Sequence, residues 1–266
     1  FTVIIHKGYT IPAECPYLNH GTRFGSKEIQ EICSEMSHDC WTYLNTNGID
    51  VMNLYSVMGP GKKPYITGDL TFYYGFQTPA QNTGKSGYLG VLRTNTCPGF
   101  LSEGYAHEYY PAVHRALNPD YCGQEGVRYA RGMAEYFGWE KEKTGYIMGS
   151  AKNMHERLIH KYYNYEPGTI DEWAPINNIE VTLYKGGVEL KTYKGDAEWN
   201  GVFMFEKLEP GDDYTIDVKA PGFKSAFELD EEYGREHTKY TVVAHETTYP
   251  VIYMEKTDYQ PAPCYN

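Results

Sequence analysis

The sequence predicts an α/β domain followed by an all-β sandwich, with the change at residues 139/140. Three observations carry this prediction. Residues 1–139 mix short apolar runs of strand length with apolar positions recurring at three- and four-residue steps, the helical period. After Gly138 the pattern becomes short strand-length runs separated by Gly, Asp and Pro turns. A length of 266 residues also exceeds the roughly 100–200 residues of one domain, so two cores are expected.

In the first half, Phe1 to Ile5 is an apolar strand that ends at His6. Ser26 reads as the N-cap of a helix in which Ile29, Ile32, Cys33, Met36, Cys40 and Leu44 recur at helical steps, and Asn47-Gly48 ends it. Met58 to Pro64 reads as a turn; the Gly-x-x-x-x-Gly-Lys-Ser/Thr spacing of a phosphate-binding loop is absent. Tyr88 to Leu92 and Phe100 to Leu101, bounded by Gly and Pro, read as neighbouring strands. A second helix is marked by Val127, Ala130, Met133, Ala134 and Phe137 and closed by Gly138. In the second half, Ile179–Tyr184, Lys191–Tyr193, Gly201–Phe205 and Tyr214–Lys219 are strands of one sheet-on-sheet core. Residues 145–149 supply its first strand and 250–254 its last, and residues 162–175, rich in Tyr, Asn and Pro, form an inserted loop.

Glu103 is the candidate catalytic residue on position alone. It stands where a strand hands over to a loop, in Leu101-Ser102-Glu103-Gly104, and α/β sheets bind ligands outside the carboxyl ends of their strands. A merely solvated strand-end Glu is the bland alternative. Arg93 either meets a substrate carboxylate as a bidentate donor or holds its strand in an ion pair. His107 would share a metal with Glu103 only on a continuous helix, which Gly104 and Pro111 oppose. The 27 Tyr suit stacking on sugars and hydrogen bonding to peptide, and equally suit sandwich packing.

The stretch Leu89-Gly90-Val91-Leu92-Arg93, Cys97 to Gly104, His107-Glu108-Tyr109 and Glu125 to Gly132 resembles the C-terminal half of zinc-dependent N-acetylmuramoyl-L-alanine amidases, in the variant of Bacteroidetes-type bacteria. The resemblance implies that Glu103 is the acid/base beside zinc, that His107 supports it from the surrounding shell, and that the substrate is peptidoglycan or a muropeptide. Phe1 to Tyr9 resembles the strand that follows the family's zinc-ligand motif Ser-x-His-x-Asn-Ala, so the two His and one Glu that hold the metal are expected upstream of this chain. Within the chain His6 is the stand-in to consider, with an ordinary strand-end histidine as its alternative. The expectation is a C-terminal portion of an enzyme, with another segment or chain against an open sheet face around Phe1–Ile5 and Tyr88–Leu92. The rival is a non-catalytic envelope or surface binding module built on a degenerate amidase half. Asp196 to Phe205, Leu208 to Tyr214 and Ala220 to Phe223 resemble the carboxypeptidase regulatory-like, transthyretin-like sandwich, a likeness that implies fold and says almost nothing of function.

A formal net charge of -11 argues against nucleic acid and anionic membrane surfaces as partners. No apolar run approaches the roughly 20 residues of a membrane span, and no signal peptide opens the sequence, so an exported and processed form in the periplasm or cell envelope is expected. Six Cys fit an oxidising compartment, no Cys-x-x-Cys pair marks a structural metal, and the disulfide pairing is open.

Overall fold

The computed structural model describes the strand segments Thr2–His6, Tyr17–His20, Ile66–Gly68 and Gly99–Glu103, and residues 110–161, 163–165 and 170–260. The chain divides into two compact units. One comprises Phe1–Ala112 and Gln124–Lys141; the other comprises Val113–Gly123 and Glu142–Asn266.

In the first unit, β1 (Thr2–His6), β2 (Tyr17–His20), β3 (Ile66–Gly68) and β4 (Gly99–Glu103) make a four-stranded sheet in the order β1-β4-β2-β3. The sheet is mixed. β1 runs parallel to β4, β2 runs antiparallel to β4, and β2 runs parallel to β3. The strand expected at Phe100–Leu101 is thus present and ends at Glu103. The helix expected from Ser26, the turn at Met58–Pro64 and the strand at Tyr88–Leu92 lie outside the described residues.

Two helices follow, α1 (Tyr110–Ala116) and α2 (Pro119–Phe137). The start of α2 is set locally. The Asn118 side chain accepts a hydrogen bond from the Tyr121 N–H at 2.9 Å, and Pro119 occupies the first helical position, where no N–H is needed. Its end is equally local: Gly138 takes φ +64, and the Trp139 N–H reaches back to the Ala134 carbonyl at 2.9 Å. The helix begins eight residues before Val127, so its buried stripe differs from the expected one. Tyr121, Gln124, Arg131 and Ala134 are buried, at steps of three and seven, whereas Ala130 is exposed.

The second unit is a β-sandwich. One sheet is antiparallel and has the order β10-β9-β12-β13, from β9 (Glu180–Lys185), β10 (Val188–Lys194), β12 (Gly211–Lys219) and β13 (Tyr240–Val242). The other is built on β5 (Gly145–Arg157), which pairs antiparallel with β11 (Val202–Leu208) and β8 (Trp173–Pro175) and parallel with β14 (Thr247–Thr248) and β15 (Val251–Met254). All four strands expected from the sequence between Ile179 and Lys219 are present. So are the first and last strands, the first extending to Arg157. The expected loop 162–175 is corrected at its end: Trp173–Pro175 is a strand, with Ala174 buried at 4% exposure and Pro175 in register with Lys152. The short ladder β6 (Ile159–His160) with β7 (Tyr163–Asn164) precedes it.

Alternation supplies the core. Val181 and Leu183 of β9, Ile216 and Val218 of β12, and Phe203 and Phe205 of β11 stand at two-residue steps, Ile147 and Ala151 of β5 at a four-residue step, and all of them meet between the sheets. The motif that suggested the sandwich has a physical basis at both ends. Gly201 takes φ +67, and a Cβ there would lie 2.4 Å from the Ala151 carbonyl oxygen, so the turn into β11 requires glycine. Tyr214, 1% exposed, donates its hydroxyl to the Glu209 carbonyl at 2.6 Å and clasps the crossing from β11 to β12.

The short α3 (Ala226–Glu232) is started by a capping box. Ser225 Oγ accepts from the Glu228 N–H at 3.2 Å, and the Glu228 carboxylate accepts from the Ser225 N–H at 2.6 Å. Ser225→Ala is expected to lower stability by about 1 kcal/mol, read as a reduced urea midpoint with an unchanged m-value; no change would mean that packing of Leu229 alone holds the helix.

Candidate functional site

Parallel pairing brings two of the expected residues together. In the register of β1 with β4, Thr2 pairs with Gly99 and each following residue with the next, so His6 pairs with Glu103 at the carboxyl ends of both strands. On the other side of β4, antiparallel β2 sets Tyr17 against Glu103. One row across three adjacent strands therefore reads His6, Glu103, Tyr17. The same antiparallel course sets His20 opposite Phe100, three residues back along β4 and away from that row. Tyr17 was not legible as a site residue, because Tyr17-Leu-Asn-His20 is too short and polar to announce a strand. Arg93 and His107 lie outside the described residues. Among the described residues, no group of three or more His, Cys, Asp or Glu is arranged to hold a metal, and no helix is long and apolar enough to cross a membrane.

The second unit holds three polar constellations built from residues distant in sequence. The first is buried. Asp171, fully buried, receives a bidentate hydrogen bond from Arg115 at 2.8 and 3.2 Å, and Lys152 Nζ stands 3.4 Å from the same carboxylate. Burial by itself would raise this carboxyl, but the Arg115 and Lys152 charges and their hydrogen bonds outweigh it and hold it below its ordinary value.

The second constellation centres on Asp196, whose carboxylate accepts from the Asn118 side-chain amide at 2.8 Å, from the Asn200 amide at 3.0 Å and from the Glu198 N–H at 3.0 Å. Nearby, the Tyr193 hydroxyl donates to Asp120 at 2.7 Å, and burial, with the Asp120 charge, pushes this phenol well above its usual range. The third centres on Glu255, 6% exposed, which accepts from Lys224 at 2.8 Å, from His155 Nε2 at 2.8 Å and from the Tyr233 hydroxyl at 3.3 Å. The Lys224 hydrogen bond, followed by that of His155, holds Glu255 below the usual carboxylate range. The His155 ring also stacks on Tyr259, with centroids 3.6 Å apart. None of the three sets a nucleophile beside a base; each ties strands and helix ends together.

The fold therefore comprises a β-sandwich unit and a second unit that carries a four-stranded mixed sheet. No protein-family model and no curated protein matches the chain. Among solved structures, it is similar to GBS52, the minor pilin of the gram-positive pathogen Streptococcus agalactiae, at 15% identity over 47% of this chain and 50% of that one, with a TM-score of 0.30. It is also similar to the Bacillus anthracis TIE protein, at 15% identity over 44% of this chain and 17% of that one, with a TM-score of 0.29. The chain thus spans half or less of the length of these proteins, and neither likeness bears on what it does.

Proposed function

We propose that residues 1–139 act as part of a zinc-dependent N-acetylmuramoyl-L-alanine amidase, which hydrolyses the amide between the lactyl group of N-acetylmuramic acid and L-alanine. The observation that carries this reading is the pairing of His6 with Glu103 at the carboxyl ends of two adjacent parallel strands. Imidazole is a donor that zinc accepts, so His6 is the described residue that would help to hold the metal, and the paired strand end carries Glu103 as the acid/base rather than as a ligand. A catalytic zinc takes three protein ligands and a water, and the described residues hold no group of three such donors, so the ligands other than His6 are not assigned within them. When bound, the metal would polarise the amide carbonyl and acidify the attacking water. Glu103 has the role of proton carrier, taking the proton from that water and delivering it to the leaving amine of L-alanine. Peptidoglycan as substrate implies an exported protein working in the periplasm or cell envelope.

A second reading, a non-catalytic envelope binding module, is favoured by the fully built core of the sandwich. One experiment separates the two. Purified muropeptide is incubated with the intact protein and with its Glu103→Gln form, and release of the peptide and zinc content are both measured. Hydrolysis should fall about a hundredfold or more in the variant while zinc is retained. Near-full hydrolysis by Glu103→Gln would refute the catalytic role; saturable muropeptide binding without hydrolysis by either form would select the binding module.

A further inference from the structure

A cavity of about 210 Å³ opens in the sandwich unit beside α3, β12, β13 and β15. Its inner wall is apolar, made by the buried side chains of Ile216, Leu229 and Ile252. Its rim is charged with both signs. Asp230, Arg235 and Glu236 line it, and the Tyr240 phenol stands among them. Asp230 is the anchor of this rim, 3.3 Å from Arg235 Nη2 and 3.3 Å from His237 Nδ1. Burial, together with the Asp230 charge, pushes Tyr240 up to about 12, so its hydroxyl keeps its proton as a neutral donor at ordinary pH.

Size and chemistry narrow the occupant. Drug-sized ligands fill roughly 300–1,000 Å³, so this cavity suits a molecule the size of one amino acid. A wholly apolar guest would cover the rim charges and give them nothing in exchange for water. A guest with a single charge would match one rim group and face the other with like sign. A molecule with an ammonium and a carboxylate side by side at one end, and a hydrocarbon branch at the other, satisfies both the rim and the inner wall. The exchange of partners it requires is cheap on the Arg235 side: this side chain is 57% exposed, so water and a guest carboxylate can both replace Asp230 as its partner, while Asp230, more buried, keeps its place in the rim.

We propose that this cavity binds a free α-amino acid with an apolar side chain, its carboxylate on Arg235, its ammonium on Asp230 and Glu236, and its side chain against Ile216, Leu229 and Ile252. The site lies wholly in the sandwich unit and stands whether or not Glu103 is catalytic. The test is titration calorimetry of the intact protein with L-leucine, N-acetyl-L-leucine and L-leucinamide. The two derivatives each remove one charge and keep the side chain. L-Leucine should bind saturably, and each derivative, like the Arg235→Gln variant with L-leucine, should bind about tenfold more weakly or worse, as loss of a charge-assisted hydrogen bond requires. An unchanged thermal midpoint verifies that the variant is folded, as the exposure of Arg235 predicts. No saturable heat with L-leucine would overturn the proposal. So would equal affinity for all three compounds, or wild-type affinity in Arg235→Gln.

Discussion

Asp171→Asn is expected to destabilise the sandwich unit by about 3–5 kcal/mol, the range for removing one member of a buried ion pair. The change keeps the shape of the side chain and removes the anion that stands between two buried cations, Arg115 and Lys152, both 2% exposed. Guanidinium and ammonium held out of water and deprived of that carboxylate face the full cost of desolvation. Replacing all three charges together by apolar residues of similar volume should cost far less, because a buried charge cluster contributes little net stability over a packed apolar one. Urea unfolding of both forms, followed through the β-sheet circular dichroism, measures the contrast; a single variant as stable as the wild type would mean that water reaches the cluster.

The same carboxylate makes a pH prediction with a definite sign. Asp171 is held below 3.8 in the folded state, so it is ionised there when the unfolded chain would already bind a proton. Its contribution to stability is complete above the unfolded value and is lost as pH falls through the folded one. The gap between wild type and Asp171→Asn should therefore be constant from neutrality down towards pH 4 and close in more strongly acid solution. A gap that widened on acidification would contradict the assignment.

Phe203→Ala is the second large effect, expected at about 3–5 kcal/mol. Phe203 is fully buried on β11, and in the pairing with β5 it sits opposite Gly149. A Cβ on Gly149 would lie 2.3 Å from the far edge of that ring, so the ring occupies the space the glycine leaves open. Phe205 packs against it, with centroids 6.2 Å apart. Removing the ring opens a cavity that rigid strands on both sides cannot close. Phe203→Leu keeps most of the volume and should lose less. Equal losses in the two variants, measured as shifts in urea midpoint, would show that ring shape rather than filled volume is what matters at this position.

Much of this was legible along the chain, and the reason is locality. Strands such as Glu180–Lys185 and Val202–Leu208 announce themselves through alternation and flanking turns, because one sheet face meets the core and the other meets water. Gly201, Pro210 and Tyr214 mark their turn because each meets a demand set within a few residues or by the neighbouring strand. The end of β4 at Glu103 was likewise visible, since the Gly that follows breaks the apolar run. The start of α2 is not legible from its apolar positions, because Asn118 and Pro119, which begin it, precede Val127 and the buried face includes Gln124 and Arg131. Polar residues buried with partners carry no hydrophobic signal.

What the sequence by itself determined is the sandwich, its strand order in the chain and the strand-end position of Glu103, all consequences of period, turns and caps acting over a few residues. What only the tertiary structure decided is which distant residues meet. His6 stands beside Glu103 through a parallel pairing of strands whose partners lie 97 positions apart, in which register is fixed by the sheet and not by either segment. Arg115, Lys152 and Asp171 converge from a helix, a strand and a short turn, and the cavity beside α3 exists because β12, β13 and β15 arrive there together. Hydrophobic patterning is non-directional and selects faces; pairing one charge with another needs the closed backbone that the whole fold supplies.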